Sequence, residues 1–461
     1  MSDTNPTGIR AYAAQIPRHL LATTKFGPVD PEAPVRRARA VANHDEDSLT
    51  LAVEAAGRLG DELPGPLVFA TSEPPYLDKS SAATLHAALE LPDAVPALDL
   101  AGLRSGAAAL RTALATGGTA VIGDVRTPAP GAPDELGNGD AAAAFACGGD
   151  GPLAATLLGG AGMTRELLER WRLPGERHPN VWDERFTAEE LLELLRATAA
   201  AALADAGLEQ VDHVVVACAN QRVAKPARKA LGAAGADAEV EALVGHAGAA
   251  HVGVLLADAL DRAKPGETIL VVSAADGADA FVLRAEEGVA AARRGPSVRD
   301  QLAARTPISY DRYLRWRGIL EIKGAPRPDP QAPASPPMLR RSDWKYGLVG
   351  ERCRACGVIS TPPGRVCPSC GKHDEFEPVS LRRTPGTVVS FTADHLAPSV
   401  DPPVVLAVVD LDGGGRRSVE VTDLPAEGIA VGARVVPTFR RLFTSEGVHN
   451  YFWKVRPVEA S

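Results

Sequence analysis

Cys353-Arg354-Ala355-Cys356 and Cys367-Pro368-Ser369-Cys370 are two Cys-x-x-Cys hooks separated by ten residues. Thiolates at that spacing take the corners of a tetrahedron, the geometry that suits Zn²⁺. Gly357 and Gly371 follow the second Cys of each hook, where the chain turns tightly and presents amide N–H groups to the sulfurs. Four protein ligands leave the metal no open position for substrate, so the zinc reads as structural. A disulfide pair is the weaker account, because the first residues carry no charged-then-apolar leader toward an oxidising compartment. Cys147 lies in an apolar run and reads as core. Cys218 ends a buried-type strand, where inert thiols are common.

The elements around this centre separate by composition. With 461 residues, two or three domains are expected. The chain is 45% hydrophobic and 23% charged, a globular balance, and no apolar run reaches the length of a membrane span. A cytoplasmic protein is expected. The net charge of −9 argues against a dedicated nucleic-acid binder but leaves room for a local basic patch. From about 8 to 290, strand-like runs (66–70, 119–123, 213–217 and 268–272) alternate with helical runs at 47–59, 80–90, 105–115, 188–206 and 248–263, the mark of an α/β layered fold. Asp47-Ser48 and Thr187, with Glu190 three residues on, read as helix starts. Residues 298–322 read as helical, with Tyr310, Tyr313, Leu314 and Trp316. Residues 323–338 carry six prolines and read as a stiff linker. The expected domains are therefore 1–322, a zinc ribbon over 339–380, and 381–461, where short strands with Gly-containing turns read as a small OB-fold barrel.

Residues 344–457 resemble the OB-fold acyl-CoA-associated domains that carry a rubredoxin-like zinc ribbon. The likeness rests on Gly347 through the first hook to Gly357, on Pro362-Pro363-Gly364-Arg365 before the second hook, and on Gly386-Thr387-Val388-Val389-Ser390-Phe391 and Val431-Gly432-Ala433-Arg434-Val435. The first 320 residues resemble the 3-hydroxy-3-methylglutaryl-CoA synthase branch of the thiolase superfamily. The carrying segments are 45–56, Thr71-Ser72-Glu73-Pro74-Pro75-Tyr76, Arg185-Phe186-Thr187, 244–250, 263–273 and 310–318. The resemblance implies a thiolase-like five-layer α/β sandwich of two βαβαβαββ halves, a homodimer, acyl-CoA or acyl-carrier thioesters as substrate, and a thiolase as a further partner.

That family's chemistry uses a Cys nucleophile, a His and a Glu base. The nucleophile position after Ala97-Leu98-Asp99-Leu100 falls on Arg104 or one residue away, and no Cys occurs from 1 to 146. The His position holds Ala217, the position of the Asn or His that supports the thioester oxygen holds His246, and the Glu is kept as Glu73. A guanidinium cannot be acylated; Arg104 instead stabilises a developing oxyanion or serves as a structural ion pair. Glu73 reads as a general base or a turn carboxylate, with Pro74-Pro75 fixing its backbone. His246 is the remaining acid–base candidate, against a hydrogen-bonded core histidine; His251, five residues on, need not share its face. Tyr76 donates to a carbonyl or packs. Arg172, Arg177 and Arg185, on the segment that resembles the branch's substrate side, meet CoA phosphates or form a solvated face. Two readings follow. One is C–C bond (aldol, retro-aldol or condensation) chemistry on a thioester without an acyl-cysteine; the other is a non-catalytic docking subunit of a thiolase complex.

Overall fold

A computed structural model describes residues 7–22, 37–60, 63–233, 235–321, 330–424 and 428–458. The chain divides into two compact units: residues 1–42, 47–86 and 92–313 form the first, and 43–46, 87–91 and 314–461 the second.

The first unit is built on strands β1 (Gly8–Gln15), β2 (Leu67–Thr71), β3 (Ala97–Ala101), β4 (Thr119–Asp124), β5 (Ala141–Gly148), β6 (Ala155–Thr164), β7 (His213–Cys218), β8 (Thr268–Ala275) and β9 (Gly277–Ala285). They form one nine-stranded sheet in the order β7-β8-β9-β6-β1-β5-β4-β2-β3. Its helices are α1 (Ser48–Leu59), α2 (Ser81–Ala88), α3 (Ser105–Thr116), α4 (Glu184–Asp205), α5 (Gln221–Ala230), α6 (Ala236–Val244) and α7 (His251–Arg262). In the first half β3 and β4 flank β2 in parallel, and β5 and β1 continue antiparallel. The second half repeats the pattern: β7 and β8 are parallel, then β9 and β6 run antiparallel. It lacks a counterpart of edge strand β3: between β7 and β8 the described residues form only α5, α6, a 3₁₀ turn (Gly248–Ala250) and α7.

Every residue of β5 is buried, which fits an Ala-rich strand with helices on both faces. A side chain at Gly123 of β4 would strike Ser48 of α1, whereas neighbouring Ile122 faces Gly253 of α7, so α1 and α7 lie on opposite faces. α3 packs on β2, β4, β5 and α7; α7 packs on strands of both halves and so forms the middle layer. α4 covers β6, β8 and β9 from outside, with α5 beside it.

All four strand-like runs and the helical runs appear at or near their sequence positions. α1 starts where expected: the Asp47 carboxylate accepts from Thr50 N–H at 3.0 Å, and the Asp47 N–H donates back to the Thr50 hydroxyl at 2.8 Å. α4 does not begin at Thr187. Asp183 caps it by accepting from Arg185 N–H at 3.1 Å, which starts the helix at Glu184, and the Thr187 hydroxyl is spent on Glu169. Residues 298–322 are not one helix either. Thr306–Pro307 pairs with the strand His19–Ala22 and separates two short helices, Val298–Ala303 and Tyr310–Trp316, because Pro307 lacks the N–H a continuing helix needs. Residues 323–329 of the expected linker lie outside the described residues; Ser335–Arg340 is a short helix, its prolines in the first turn where no N–H is required. No described helix is long and apolar enough to cross a membrane.

In the second unit, strands β10 (Val349–Cys353), β11 (Ile359–Ser360) and β12 (Phe376–Ser380) form the ribbon sheet. Strands β13 (Gly386–Asp394), β14 (Val404–Leu411), β15 (Arg416–Val421), β16 (Arg434–Ser445) and β17 (Val448–Pro457) close into the expected five-stranded barrel, in the order β13-β14-β15-β17-β16. Phe439 stacks on Tyr451 and meets the edge of Trp453 in its core. Buried Arg440 pairs with Asp45 at 3.2 Å, Glu46 at 2.7 Å and Asp423 at 2.7 Å, and Lys454 pairs with Asp45 at 2.9 Å. Burial would raise Asp45, but Lys454 and Arg440 outweigh it and hold the carboxyl far below its usual range.

The middle layer leaves no spare room. A Cβ on Gly106 of α3 would sit 2.0 Å from the Ala249 carbonyl oxygen. Gly106→Ala is therefore expected to destabilise the protein by about 1–3 kcal/mol or more, read as a lowered urea midpoint against wild type.

Candidate functional site

The four sulfurs of Cys353, Cys356, Cys367 and Cys370 lie within 4.8 Å of one another. Sγ–Sγ separations of 3.7 Å (Cys353–Cys370) and 3.5 Å (Cys356–Cys367) match the edge of about 3.8 Å that ~2.3 Å Zn–S bonds require. Each hook is held by its own backbone: Gly357 N–H donates to Cys353 O at 2.8 Å, and Gly371 N–H to Cys367 O at 3.0 Å. The N–H groups of Cys370 and then Ser369 pull the Cys367 thiol down to about 6, favouring the thiolate a metal needs. The donor set fits a structural Zn²⁺.

The second candidate site lies in the first unit, and one buried carboxylate assembles it. Asp124, at the end of β4, accepts from the Thr71 hydroxyl (2.7 Å), the Ser72 N–H (2.9 Å) and hydroxyl (2.7 Å), and the Ala249 N–H (2.6 Å). It thereby fixes the loop that carries Glu73 and Tyr76 and the turn that follows His246. His246 is clamped by its own backbone, donating to Gly137 O at 2.7 Å and accepting from Gly139 N–H at 3.1 Å. Gly245 before it has φ +82°, and a Cβ there would lie 2.5 Å from Asn138 O, so only glycine fits. The His246 ring lies 4.3 Å from that of His251, and burial, followed by the His251 charge, keeps it well below its usual range and neutral. The two histidines thus meet, although their spacing did not require it.

His246, Arg170 and Ala219 belong to two adjoining spaces. One is a cleft of about 810 Å³ whose wall includes Arg37, Arg170, Arg222, Lys225 and Arg228. The other is a cavity of about 30 Å³ lined by Leu103, Ala217, Cys218, His251 and Val252 among others. At the start of α3 it is Leu103 that faces this cavity. Arg104 turns away, its Nε donating to Asp279 at 2.7 Å and its Nη1 to Thr164 at 2.9 Å, in a separate hollow shared with Arg111. Ala217 lines the cavity without a functional group. Burial pushes the Cys218 and Cys147 thiols up to about 12, so neither offers a thiolate.

Glu73 lines neither space. Its carboxylate is gripped by Arg126 at 3.1 Å and by Arg172, and burial still leaves it raised above the usual carboxylate range despite both guanidinium groups. Arg126 also acts on His246, which makes the two candidates neighbours through one cation. Tyr76 is half-buried on the Glu73 loop. Arg185 is exposed and paired with Asp183, Arg177 is exposed, and Arg172 is committed to Glu73, so none of the expected phosphate-binding arginines lines the cleft. Besides Arg37 and Arg170, the cleft's cations stand on α5, at Arg222, Lys225 and Arg228. Arg228 is paired with Asp237 and Glu241, while the side chains of Arg222 and Lys225 make no ion pair among the described residues. Their spacing of three was visible, and Asn220 caps the helix at Arg222 N–H; Pro226 inside it reads as a breaker and masked the signal.

Residues 345–377 match the family model for the ChsH2 rubredoxin-like zinc ribbon domain, and residues 380–440 that for the ChsH2 C-terminal OB-fold domain. A DUF35 domain-containing scaffold protein of Methanocaldococcus jannaschii is 32% identical over 120 residues, 25% of this chain and 84% of that protein. The hydroxymethylglutaryl-CoA synthase of Methanopyrus kandleri is 28% identical over 345 residues, 68% of this chain and 98% of that enzyme. A solved HMG-CoA synthase complexed with CoA superposes at a TM-score of 0.57 with 18% identity, covering 67% of this chain and 90% of that one. The first unit therefore has the HMG-CoA synthase-like thiolase fold, fused to a zinc ribbon and an OB-fold.

Removing the metal with a strong chelator is expected to unfold residues 350–375 while the first unit keeps its secondary structure. Circular dichroism and hydrogen exchange check this; collapse of secondary structure throughout the chain would contradict it.

Proposed function

We propose, for a chain that belongs through its C-terminal module to the family of DUF35-domain proteins and carries an HMG-CoA synthase-like thiolase fold before it, that it binds an acyl-CoA or acyl-carrier thioester without forming an acyl-cysteine and presents it to a partner enzyme. The observation that carries this is the meeting of the basic cleft with His246 at a cavity walled by Leu103 and Ala217. Arg222 and Lys225 suit the phosphates of CoA or of a phosphopantetheine arm. The turn that opens α3 offers Leu103 and Arg104 and no thiol, so whichever of the two replaces the nucleophile, the acyl group stays on its carrier. The relatives named as scaffold proteins support the presenting role; the partner in this proposal is a thiolase. Edge strand β3, exposed along much of its length with Leu98 47% exposed, supports a homodimer through strand pairing.

Titration calorimetry with CoA and acetyl-CoA tests the binding. Arg222→Glu combined with Lys225→Glu is expected to weaken both ligands by about tenfold or more, the scale of losing a charged hydrogen bond of ~1.5 kcal/mol. Unchanged affinity would remove the cleft from the proposal.

A second reading, C–C bond chemistry with Glu73 as base, is favoured by one observation. Burial raises this carboxyl toward the range a general base needs, and Arg126 and Arg172 stand beside it as a sink for enolate charge. Incubating the protein with acyl-CoAs in deuterated water is then expected to give α-proton exchange that Glu73→Gln abolishes while thioester binding persists. Tight binding with no exchange on any thioester leaves the presenting role as the function.

A further inference from the structure

We propose that Leu103 sets the length of the acyl group this protein accepts, confining it to a two-carbon unit; the proposal rests on the thioester reading given above. The cleft of about 810 Å³ is large enough for a nucleotide-bearing arm, but the cavity it meets at Arg170, Ala219 and His246 measures about 30 Å³. That space admits about two water-sized groups. A thioester entering along the cleft brings its carbonyl to His246, whose ring makes no hydrogen bond among the described residues, and only the carbons beyond the carbonyl enter the cavity.

The walls decide how far a chain can extend. Cys218, Val252 and Leu191 are 1%, 2% and 3% exposed and belong to packed core, where added carbon forces neighbours out of place. Ala217 is already small. Two wall residues differ, Leu167 and Leu103: both are half-buried, lie outside the helices and strands and present branched side chains to the cavity, and Leu103 does so from the turn after β3. Shortening Leu103 removes three carbons from one wall and leaves the His246 clamp and the Asp124 bonds untouched, since neither involves residue 103.

The test is a series of CoA, acetyl-CoA, butyryl-CoA and octanoyl-CoA, titrated calorimetrically into wild type, Leu103→Ala and Leu103→Phe. Wild type is expected to bind octanoyl-CoA at least about tenfold more weakly than acetyl-CoA, the discrimination a tight apolar pocket gives. Leu103→Ala is expected to erase most of that difference. Leu103→Phe is expected to weaken acetyl-CoA while CoA itself binds as in wild type, which also reports that the variant is folded. Equal binding of acetyl- and octanoyl-CoA by wild type, or a length profile that Leu103→Ala leaves unchanged, overturns the proposal while the thioester reading stands. Failure of wild type to bind CoA or any of its thioesters overturns both.

Discussion

Asp124 is the interaction on which the first unit's site depends. Its carboxylate is fully buried, and its cost is met by four hydrogen bonds, two from Ser72 and one each from Thr71 and Ala249. Those donors lie on two loops from different halves of the fold. With Asp124 between them, the Glu73 loop and the turn after His246 cannot move independently. The close approach of Gly106 to Ala249 then fixes the start of α3 against that same turn, and with it the direction in which Leu103 points.

The electrostatics around this hub are compatible with the proposed presenting role. An acylating site needs a thiolate beside a base, and the cavity offers no thiolate: Leu103 and Ala217 bring no thiol to its wall, and Cys218 is buried and protonated. The charges that remain are organised in pairs. Glu73 is shared by Arg126 and Arg172, Asp279 by Arg104 and Arg111, and Arg228 by Asp237 and Glu241. Removing the partner of a buried member such as Asp279 or Glu73 strands a desolvated charge, so each pair is held by its own electrostatics. Arg222 and Lys225 stand outside this pattern, exposed on the cleft rim and available to an incoming anion.

The second unit meets a different constraint. A small barrel and a ribbon of short strands bury little apolar surface, and such folds rely on additional ties. The four thiolates supply one through zinc. The ring core of Phe439, Tyr451 and Trp453 supplies another. A third is the buried ionic cluster of Arg440 and Lys454 with Asp45, Glu46 and Asp423, in which burial pushes the Glu46 carboxyl up to about 8 against the pull of Arg440. Arg440 meets three carboxylates at once, which a lysine in its place cannot match with planar geometry.

Features set by short stretches of chain were legible in the sequence. The zinc hooks, the buried strands, the cap of α1 and the barrel's strand spacing depend on residues within a few positions of one another, and local geometry follows from that spacing. The absence of a nucleophilic thiol before residue 147 was equally plain. What the tertiary structure alone decided is where side chains point and whom they meet. The sequence placed the nucleophile position on Arg104 to within one residue; the turn after β3 sends neighbouring Leu103 into the cavity and Arg104 to Asp279. The partners of Glu73 lie 53 and 99 positions away, so nothing near it in the chain announces that its carboxylate is already engaged. The basic face of α5 was hidden by Pro226, and it becomes a cleft wall only because α6 and the His246 turn fold across from it. Spacing along the chain fixes local shape; long-range packing chooses which functional groups converge, and that choice is what defines this site.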